Sequence, residues 1–166
     1  GGVAPPISYE IDGEQYIAVM AGWGGMFSMT GGTVTRKDEG PGPNRVLVYK
    51  LGGKHTLPAK AELVMTAPKP PAQTGTAEQI ANGSALYDEY CQFCHGMHAV
   101  SGGVIPDLRH MTEQTHLSFM GIVYGGMLQE KGMAGFNDHL TVDEVNDLQK
   151  YLIQRATDDY GDASVF

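Results

Sequence analysis

Residues 91–95 read Cys-Gln-Phe-Cys-His and contain both cysteines of the 166-residue chain. Two cysteines that are separated by two residues and followed directly by a histidine form the attachment sequence for c-type haem. On a helical turn, each thiol can add to one haem vinyl group, while the imidazole lies beneath the iron. The motif therefore predicts one covalent haem c, held by Cys91 and Cys94, with His95 as an axial ligand of the iron.

Two other uses of the cysteine pair remain open. A structural zinc site needs four ligands, and the remaining histidines of this part of the chain show no second pair at a suitable spacing: His98, His110, His116 and His139. A thioredoxin-type redox pair lies between a strand and a helix, whereas a predicted helix precedes Cys91. Haem is favoured, with zinc and a disulfide as alternatives.

A second axial ligand is expected on the opposite face of the haem, and a thioether there raises the reduction potential. Met133 is preferred because it lies in a Gly-containing loop, residues 131–136, just before the last predicted helix. Met127 is the second choice, and Met97 is too close to the cysteines. The other later methionines, Met111 and Met120, are equally compatible with ordinary core packing.

Pro106 lies in the loop that follows the motif, within Ile105-Pro106-Asp107-Leu108. Its carbonyl group could accept a hydrogen bond from the ring N–H of His95 and fix the tautomer of the metal-bound imidazole. The alternative is a proline that only shapes a surface turn.

The residues around the motif predict a helical domain. Thr76 with Gln79 and Thr141 with Glu144 have the spacing of a capping box, so each pair predicts the start of a helix. Between these two helices, the segment 117–124 predicts a shorter one that ends at a Gly-Gly pair.

The first part of the chain has a different pattern. Short β-branched and aromatic runs predict strands over residues 7–11, 15–21 and 45–51, and Asp12-Gly13 predicts a hairpin turn. Eight of the nine prolines precede residue 72. We therefore predict three segments: strands over 1–64, a Pro-rich linker over 65–75 and a helical domain over 76–166. A few Gly-rich strands cannot bury a full core, so the first segment is expected to need a partner.

Charge excludes some function classes. The formal net charge is −8, with 11 basic and 19 acidic residues, and the acidic excess lies in the helical part. No basic face is available for nucleic acid, and an acidic surface would suit a basic redox partner. No apolar run reaches the roughly 18 residues of a spanning helix.

Over residues 76–156 the chain resembles a class I cytochrome c domain. The matching features are Gly83 and Tyr87 in the first helix, the haem motif, Pro106, the Gly132–Phe136 loop and a last helix that contains Tyr151-Leu152. The resemblance also implies that Arg109 could pair with a haem propionate; a solvated arginine is the alternative.

Residues 1 to about 64 resemble the last propeller segment of quinohaemoprotein alcohol dehydrogenases, in Ala4-Pro5-Pro6, residues 16–25 and residues 45–49. The resemblance implies an incomplete eight-bladed propeller for pyrroloquinoline quinone (PQQ) and calcium, most of whose ligands lie outside this chain. Trp23 and Gly24 would face the quinone cavity, although Trp23 could instead fill space between blades.

The same resemblance implies a function. The chain would be the haem-bearing part of a periplasmic dehydrogenase for alcohols, polyols or sugars, with no catalytic residue of its own. Its partners would be the rest of the propeller, as another polypeptide or a cleaved half, and a redox acceptor protein or quinone. The alternative is a stand-alone periplasmic cytochrome c electron carrier with a β-rich docking module. A metal-binding interaction domain without haem is a third hypothesis.

Overall fold

A computed structural model describes residues 4–22, 44–59 and 67–160 of the chain. The first two ranges hold a three-stranded antiparallel sheet in the order β1-β2-β3. Its strands are β1 (Ile7–Ile11), β2 (Glu14–Ala21) and β3 (Arg45–Lys50). The alternating sequence pattern predicted all three to within a residue at each end.

The turn between β1 and β2 is built by Asp12 and Gly13, which both have positive φ, +53° and +81°. Such a pair matches the right-handed twist of the strands that it joins. The turn sets Tyr9 directly opposite Tyr16, and their rings stack with centroids 5.5 Å apart. The predicted hairpin is confirmed.

The sheet leaves much of its apolar surface uncovered. Among the residues of the three described strands, only Ala18 is a buried hydrophobic residue. The exposed large side chains come from all three strands and the turn after them: Ile7, Ile11, Ile17, Met20, Val46, Val48, Tyr49 and Leu51. A sheet with so little burial has no core of its own.

The third range is helical. Its helices are α1 (Ala77–Tyr90), α2 (Gln92–His95), α3 (Glu113–Leu117), α4 (Phe119–Val123) and α5 (Val142–Asp159). Short 3₁₀ turns lie at Met97–Ala99, Leu108–His110 and Gln129–Lys131. Both predicted capping boxes are present, Thr76 with Gln79 at α1 and Thr141 with Glu144 at α5.

The first and last long helices cross at Gly83. A Cβ atom on this residue would lie 2.1 Å from the carbonyl oxygen of Asp147 and 2.9 Å from Cβ of Tyr151. The missing side chain lets the two backbones touch, and Tyr87, Leu148 and Leu152 are fully buried beside the crossing. This contact holds the core of the helical domain.

The predicted helix over 117–124 is interrupted. Ser118 has φ −91° and ψ 0°, so the segment is split into α3 and α4. The amide of Ser118 still bonds to the carbonyl of Gln114 at 3.1 Å. The helical hydrophobic pattern continues across this kink, which is why the sequence did not indicate it.

The end of the Pro-rich segment lies against α5. The Gln73 side-chain amide donates to the carbonyl of Lys150 at 2.9 Å, and the Lys150 ammonium donates to the Thr74 hydroxyl at 2.5 Å. Gly75 faces the Lys150 stem, whose Cβ would lie 2.8 Å from an added Cβ. Residues 73–75 are thus attached to the helical domain.

None of the helices in the three described ranges is long and apolar enough to cross a membrane.

Candidate haem site

The Cys-x-x-Cys-His segment forms the junction between α1 and α2. The amide of Cys91 donates to the carbonyl of Tyr87 at 2.9 Å, and the amide of His95 donates to the carbonyl of Cys91 at 3.0 Å. Both cysteines are free thiols; Cys94 is exposed and Cys91 is half-buried. Burial raises the pKa of the Cys91 thiol to about 12, and the nearby Cys94 adds to this shift. The segment therefore carries two unpaired thiols one helical turn apart.

The His95 imidazole is buried, with 7% of its surface exposed. Its Nδ1 lies 3.2 Å from the carbonyl oxygen of Pro106. A carbonyl can only accept, so Nδ1 carries the proton, and Nε2 keeps its lone pair for a metal. Burial lowers the pKa of His95 even though Pro106 and Asp107 act in the opposite direction. The ring is thus held neutral, as an iron ligand must be.

The loop after the motif is fixed by the buried hydroxyl of Tyr87, a residue that the sequence placed in the first helix without indicating its hydrogen bond. The phenol of Tyr87 donates to the carbonyl of Gly96 at 2.7 Å. Gly96 itself has φ +86°, and a Cβ there would lie 2.0 Å from the carbonyl oxygen of Val100. The helix before the cysteines is thereby bonded to the chain directly after His95.

Arg109 is part of an ion-pair network. Its Nη2 lies 2.8 Å from Asp107 and its Nη1 lies 2.7 Å from Asp159 of α5. Burial alone would raise the pKa of Asp107, but the hydrogen bonds and charge of Arg109 outweigh it and lower that pKa. The propionate contact expected for Arg109 stays a prediction. Sequence reasoning missed Asp107 and Asp159, since nothing local marks their pairing.

Met133 follows Gly132, whose φ of +90° ends a 3₁₀ turn. Its side chain is half-buried and packs on the hydrophobic core, as does Phe136 of the same loop. The Phe136 ring lies edge-on to Tyr90, 6.1 Å between centroids, and Tyr90 directly precedes the cysteine motif. The loop that carries Met133 therefore packs against the end of α1.

The other candidate methionines differ in burial. Met127 is 63% exposed, whereas Met111 is 7% exposed and belongs to the buried core. Met120 is partly buried against that core. Burial therefore separates Met133 from Met127 and Met111 but not from Met120, and Met133 as the second axial ligand stays a prediction.

Trp23 and Gly24, the residues predicted to face a quinone cavity, lie outside the described residues. Within the described ranges, no group of three or more His, Cys, Asp or Glu side chains is placed to hold a metal ion.

The donor set suits haem c. Two free thiols, a buried neutral imidazole with its Nδ1 engaged, and a thioether on a restrained loop are the groups that attach such a haem and ligate its iron. The fold and the site define a cytochrome c domain.

Comparisons with known proteins agree. Residues 78–152 match the family model described as Cytochrome C oxidase, cbb3-type, subunit III. Quinohemoprotein alcohol dehydrogenase ADH-IIG of Pseudomonas putida is 46% identical over 158 residues, which are 95% of this chain and 22% of that protein.

Two solved structures extend the similarity to the fold. Quinohemoprotein alcohol dehydrogenase ADHIIG from Pseudomonas putida HK5 gives a TM-score of 0.81 at 45% identity, covering 98% of this chain and 24% of that one. The enzyme from Comamonas testosteroni gives 0.69 at 31% identity, covering 95% and 22%.

The chain is thus similar, over nearly its whole length, to the carboxyl-terminal, cytochrome-containing region of quinohaemoprotein alcohol dehydrogenases. It spans less than a quarter of the length of the relatives above. Its cytochrome domain is an electron-transfer domain that carries haem c. The comparisons do not favour the alternative of a stand-alone carrier.

Proposed function

We propose that this chain is the haem-bearing electron-transfer portion of a periplasmic, PQQ-dependent dehydrogenase of alcohols, polyols or sugars. Haem held by this chain would supply one-electron chemistry between the reduced quinone and an external acceptor. One observation carries the proposal: the similarity to quinohaemoprotein dehydrogenases runs through 95% of the chain, so it includes the sheet as well as the cytochrome domain. An electron carrier with an unrelated docking module would match only in the second part.

In this proposal the site residues have separate roles. Cys91 and Cys94 attach the haem, and His95 and Met133 ligate its iron. The Pro106 carbonyl, 3.2 Å from Nδ1 of His95, orients the ring and increases its basicity. When bound, the haem supplies the one-electron chemistry; the protein holds the ligands and keeps water away from the buried imidazole.

The sheet is proposed to be part of an incomplete propeller that residues 1–64 contribute. Within the described strands, β1 and β3 each have one ladder partner, and long unpaired edges are normally paired or covered in proteins. The exposed apolar side chains of the sheet provide the surface that the rest of the propeller would bury. That remainder supplies the catalytic residues and most contacts to PQQ and calcium, with Trp23 and Gly24 contributing from this chain.

The charge of the helical part favours one kind of redox acceptor. The helical part, residues 76–166, holds most of the acidic excess, so a basic redox protein would be steered toward it. A quinone acceptor is the alternative, because it needs no charged docking surface. Affinity for an acceptor protein that falls steeply with added salt separates the two.

Haem attachment is tested first. We expect the chain, produced with a haem-attachment system, to give a pyridine haemochrome spectrum of the thioether type that survives acid-acetone extraction. An intact mass without a haem increment would contradict the proposal. The Cys91→Ala plus Cys94→Ala double variant is the control and should lose the bound haem.

The second axial ligand is tested by Met133→Ala. This variant should lose the red charge-transfer band that reports a sulfur–iron bond, and its reduction potential should fall because a thioether raises it. Met127→Ala is the matched control, since that side chain is exposed, and should keep both properties. A lost band in the control alone would move the assignment to Met127.

The oxidoreductase role is tested on the assembled protein. The chain combined with the rest of the propeller, PQQ and calcium should oxidise a primary alcohol and reduce the haem. Alcohol oxidation without haem reduction would refute the proposed electron path, and haem that is reduced only by an added protein donor would favour the carrier.

A further inference from the structure

The last turn of α5 is bonded to the loop that lies on the His95 side of the site. Asp159 of α5 accepts from Arg109 Nη1 at 2.7 Å and from Arg155 Nη2 at 3.2 Å. Arg155 in turn donates from Nε to the carbonyl of His98 at 3.0 Å. The carboxyl-terminal end of α5 therefore contacts both ends of the loop 98–109.

Arg109 also binds Asp107, the residue after Pro106, and so connects it to α5. Its Nε and Nη2 bond to the two carboxylate oxygens of Asp107 at 3.0 and 2.8 Å. The same carboxylate accepts from the amides of Ser101 at 3.2 Å and of Arg109 at 3.1 Å. The Arg109 and Asp107 side chains are each only 10% exposed, so solvent screens this fork little and its geometry is well defined.

We propose that Asp159 and Arg109 are positioning residues for the Pro106 carbonyl. The network fixes both oxygens of Asp107, and the peptide that joins Pro106 to Asp107 contains the carbonyl that accepts from His95. The end of α5 thereby holds this carbonyl within reach of Nδ1. The inference rests on the proposed function, because it gives the network a role in tuning a haem ligand.

The physical consequence is a shift in reduction potential. A carbonyl that accepts firmly from Nδ1 makes the imidazole a stronger donor to the iron, and stronger donation favours the oxidised metal. Loosening the carbonyl should therefore raise the potential. The same loosening should let the Nδ1 proton of His95 exchange with water more often.

The experiment compares Asp159→Asn with Asp158→Asn in the haem-loaded chain. Both variants remove one negative charge from neighbouring positions of α5. Asp158 contacts Arg155 at 3.4 Å and accepts from Gln154, so its loss leaves the bond between Arg109 and Asp159 in place. The pair therefore separates positioning from the plain effect of charge.

The experiment has two readouts. The exchange rate of the His95 Nδ1 proton is measured in the reduced, diamagnetic state, and the reduction potential is measured by redox titration. We expect the His95 Nδ1 proton of Asp159→Asn to exchange about tenfold faster than in the unchanged chain, and its potential to lie above that of Asp158→Asn. Asp158→Asn should exchange within about twofold of the unchanged chain. Arg109→Lys keeps the positive charge but loses the paired hydrogen bonds to Asp107, so it should reproduce the faster exchange. This variant replaces Asp159→Asn in the comparison if Asp159→Asn does not fold.

The outcomes are distinct. Equal exchange rates in Asp159→Asn and Asp158→Asn would overturn the proposal. A raised potential with unchanged exchange would also overturn it, because the shift would then not come from the Pro106 carbonyl. A chain that binds no haem in the pyridine assay would refute the proposed function itself. That result is distinct from the outcomes above, which compare variants that already carry haem.

Discussion

Replacing Gly83 with alanine should separate the two long helices. The added Cβ would lie 2.1 Å from the Asp147 carbonyl oxygen, 2.6 Å from its carbon and 2.9 Å from Cβ of Tyr151. Two of these atoms are backbone of α5, which cannot rotate away as a side chain can. The helices must therefore move apart or bend, and the buried contacts beside them loosen.

The magnitude follows from two opposing effects. Inserting a methyl group into a packed core costs up to about 3 kcal/mol, and the upper value applies because the contact is with backbone. The higher helix propensity of alanine offsets about 1 kcal/mol of this cost. We expect Gly83→Ala to lower the free energy of unfolding by about 2 kcal/mol.

Urea unfolding of the haem-loaded chain, followed by circular dichroism, measures this change. With a slope of roughly 2 kcal/mol/M, the midpoint should fall by about 1 M. Gly121→Ala is the matched control in α4, because its Cβ would meet only the flexible end of Met127, at 2.9 Å. The control should be neutral or slightly stabilised. Gly83→Ala with an unchanged midpoint would refute the close crossing.

Two further changes test local contacts. Tyr87→Phe removes the 2.7 Å hydrogen bond to the Gly96 carbonyl and should cost about 1 kcal/mol of stability, measured by thermal unfolding. Thr141→Ala removes the hydroxyl cap of α5 and should also cost about 1 kcal/mol. The Thr141 backbone and side-chain hydrogen bonds lower the pKa of Glu144 from its ordinary value. The stability that this carboxylate contributes is therefore present above its ordinary pKa and is lost as the pH falls through the lowered pKa. Glu144→Gln should flatten that acid dependence in unfolding curves.

Controls for these changes come from the same domain. Tyr160→Phe alters a phenol that is 49% exposed, so its unfolding temperature should stay within error of the unchanged chain. If Tyr160→Phe and Tyr87→Phe are equally stable, the buried hydroxyl contributes nothing. An acid dependence that survives in Glu144→Gln would assign it to another carboxylate.

The sequence predicted what depends on neighbours along the chain. Alternation located the strands, Asp12-Gly13 located the hairpin turn, and the capping boxes located the starts of α1 and α5, because each of these signals acts over a few residues. The Ser118 kink was missed because the hydrophobic pattern continues through it. The attachment of Gln73 to α5 was also missed, since it joins residues far apart in sequence.

The candidate site shows the same division. Residues 91–95 carry their chemistry in their spacing, and Pro106 lies where the sequence placed a carbonyl for His95. Asp107 and its bonds to Arg109 became visible only in three dimensions, because a carboxylate after a proline has many ordinary roles. The network of Asp159 depends on how α5 packs, which no short motif encodes.

The attachment of residues 73–75 to α5 shortens the free part of the linker that precedes the cytochrome domain. An extended proline-rich chain spans about 3 Å per residue, so three fastened residues remove about 9 Å of slack. In the proposed assembly, a shorter free segment would confine the haem to a smaller volume around the rest of the propeller. Because the rate of electron transfer falls steeply with distance, such confinement would favour transfer between the quinone and the haem in the proposed dehydrogenase.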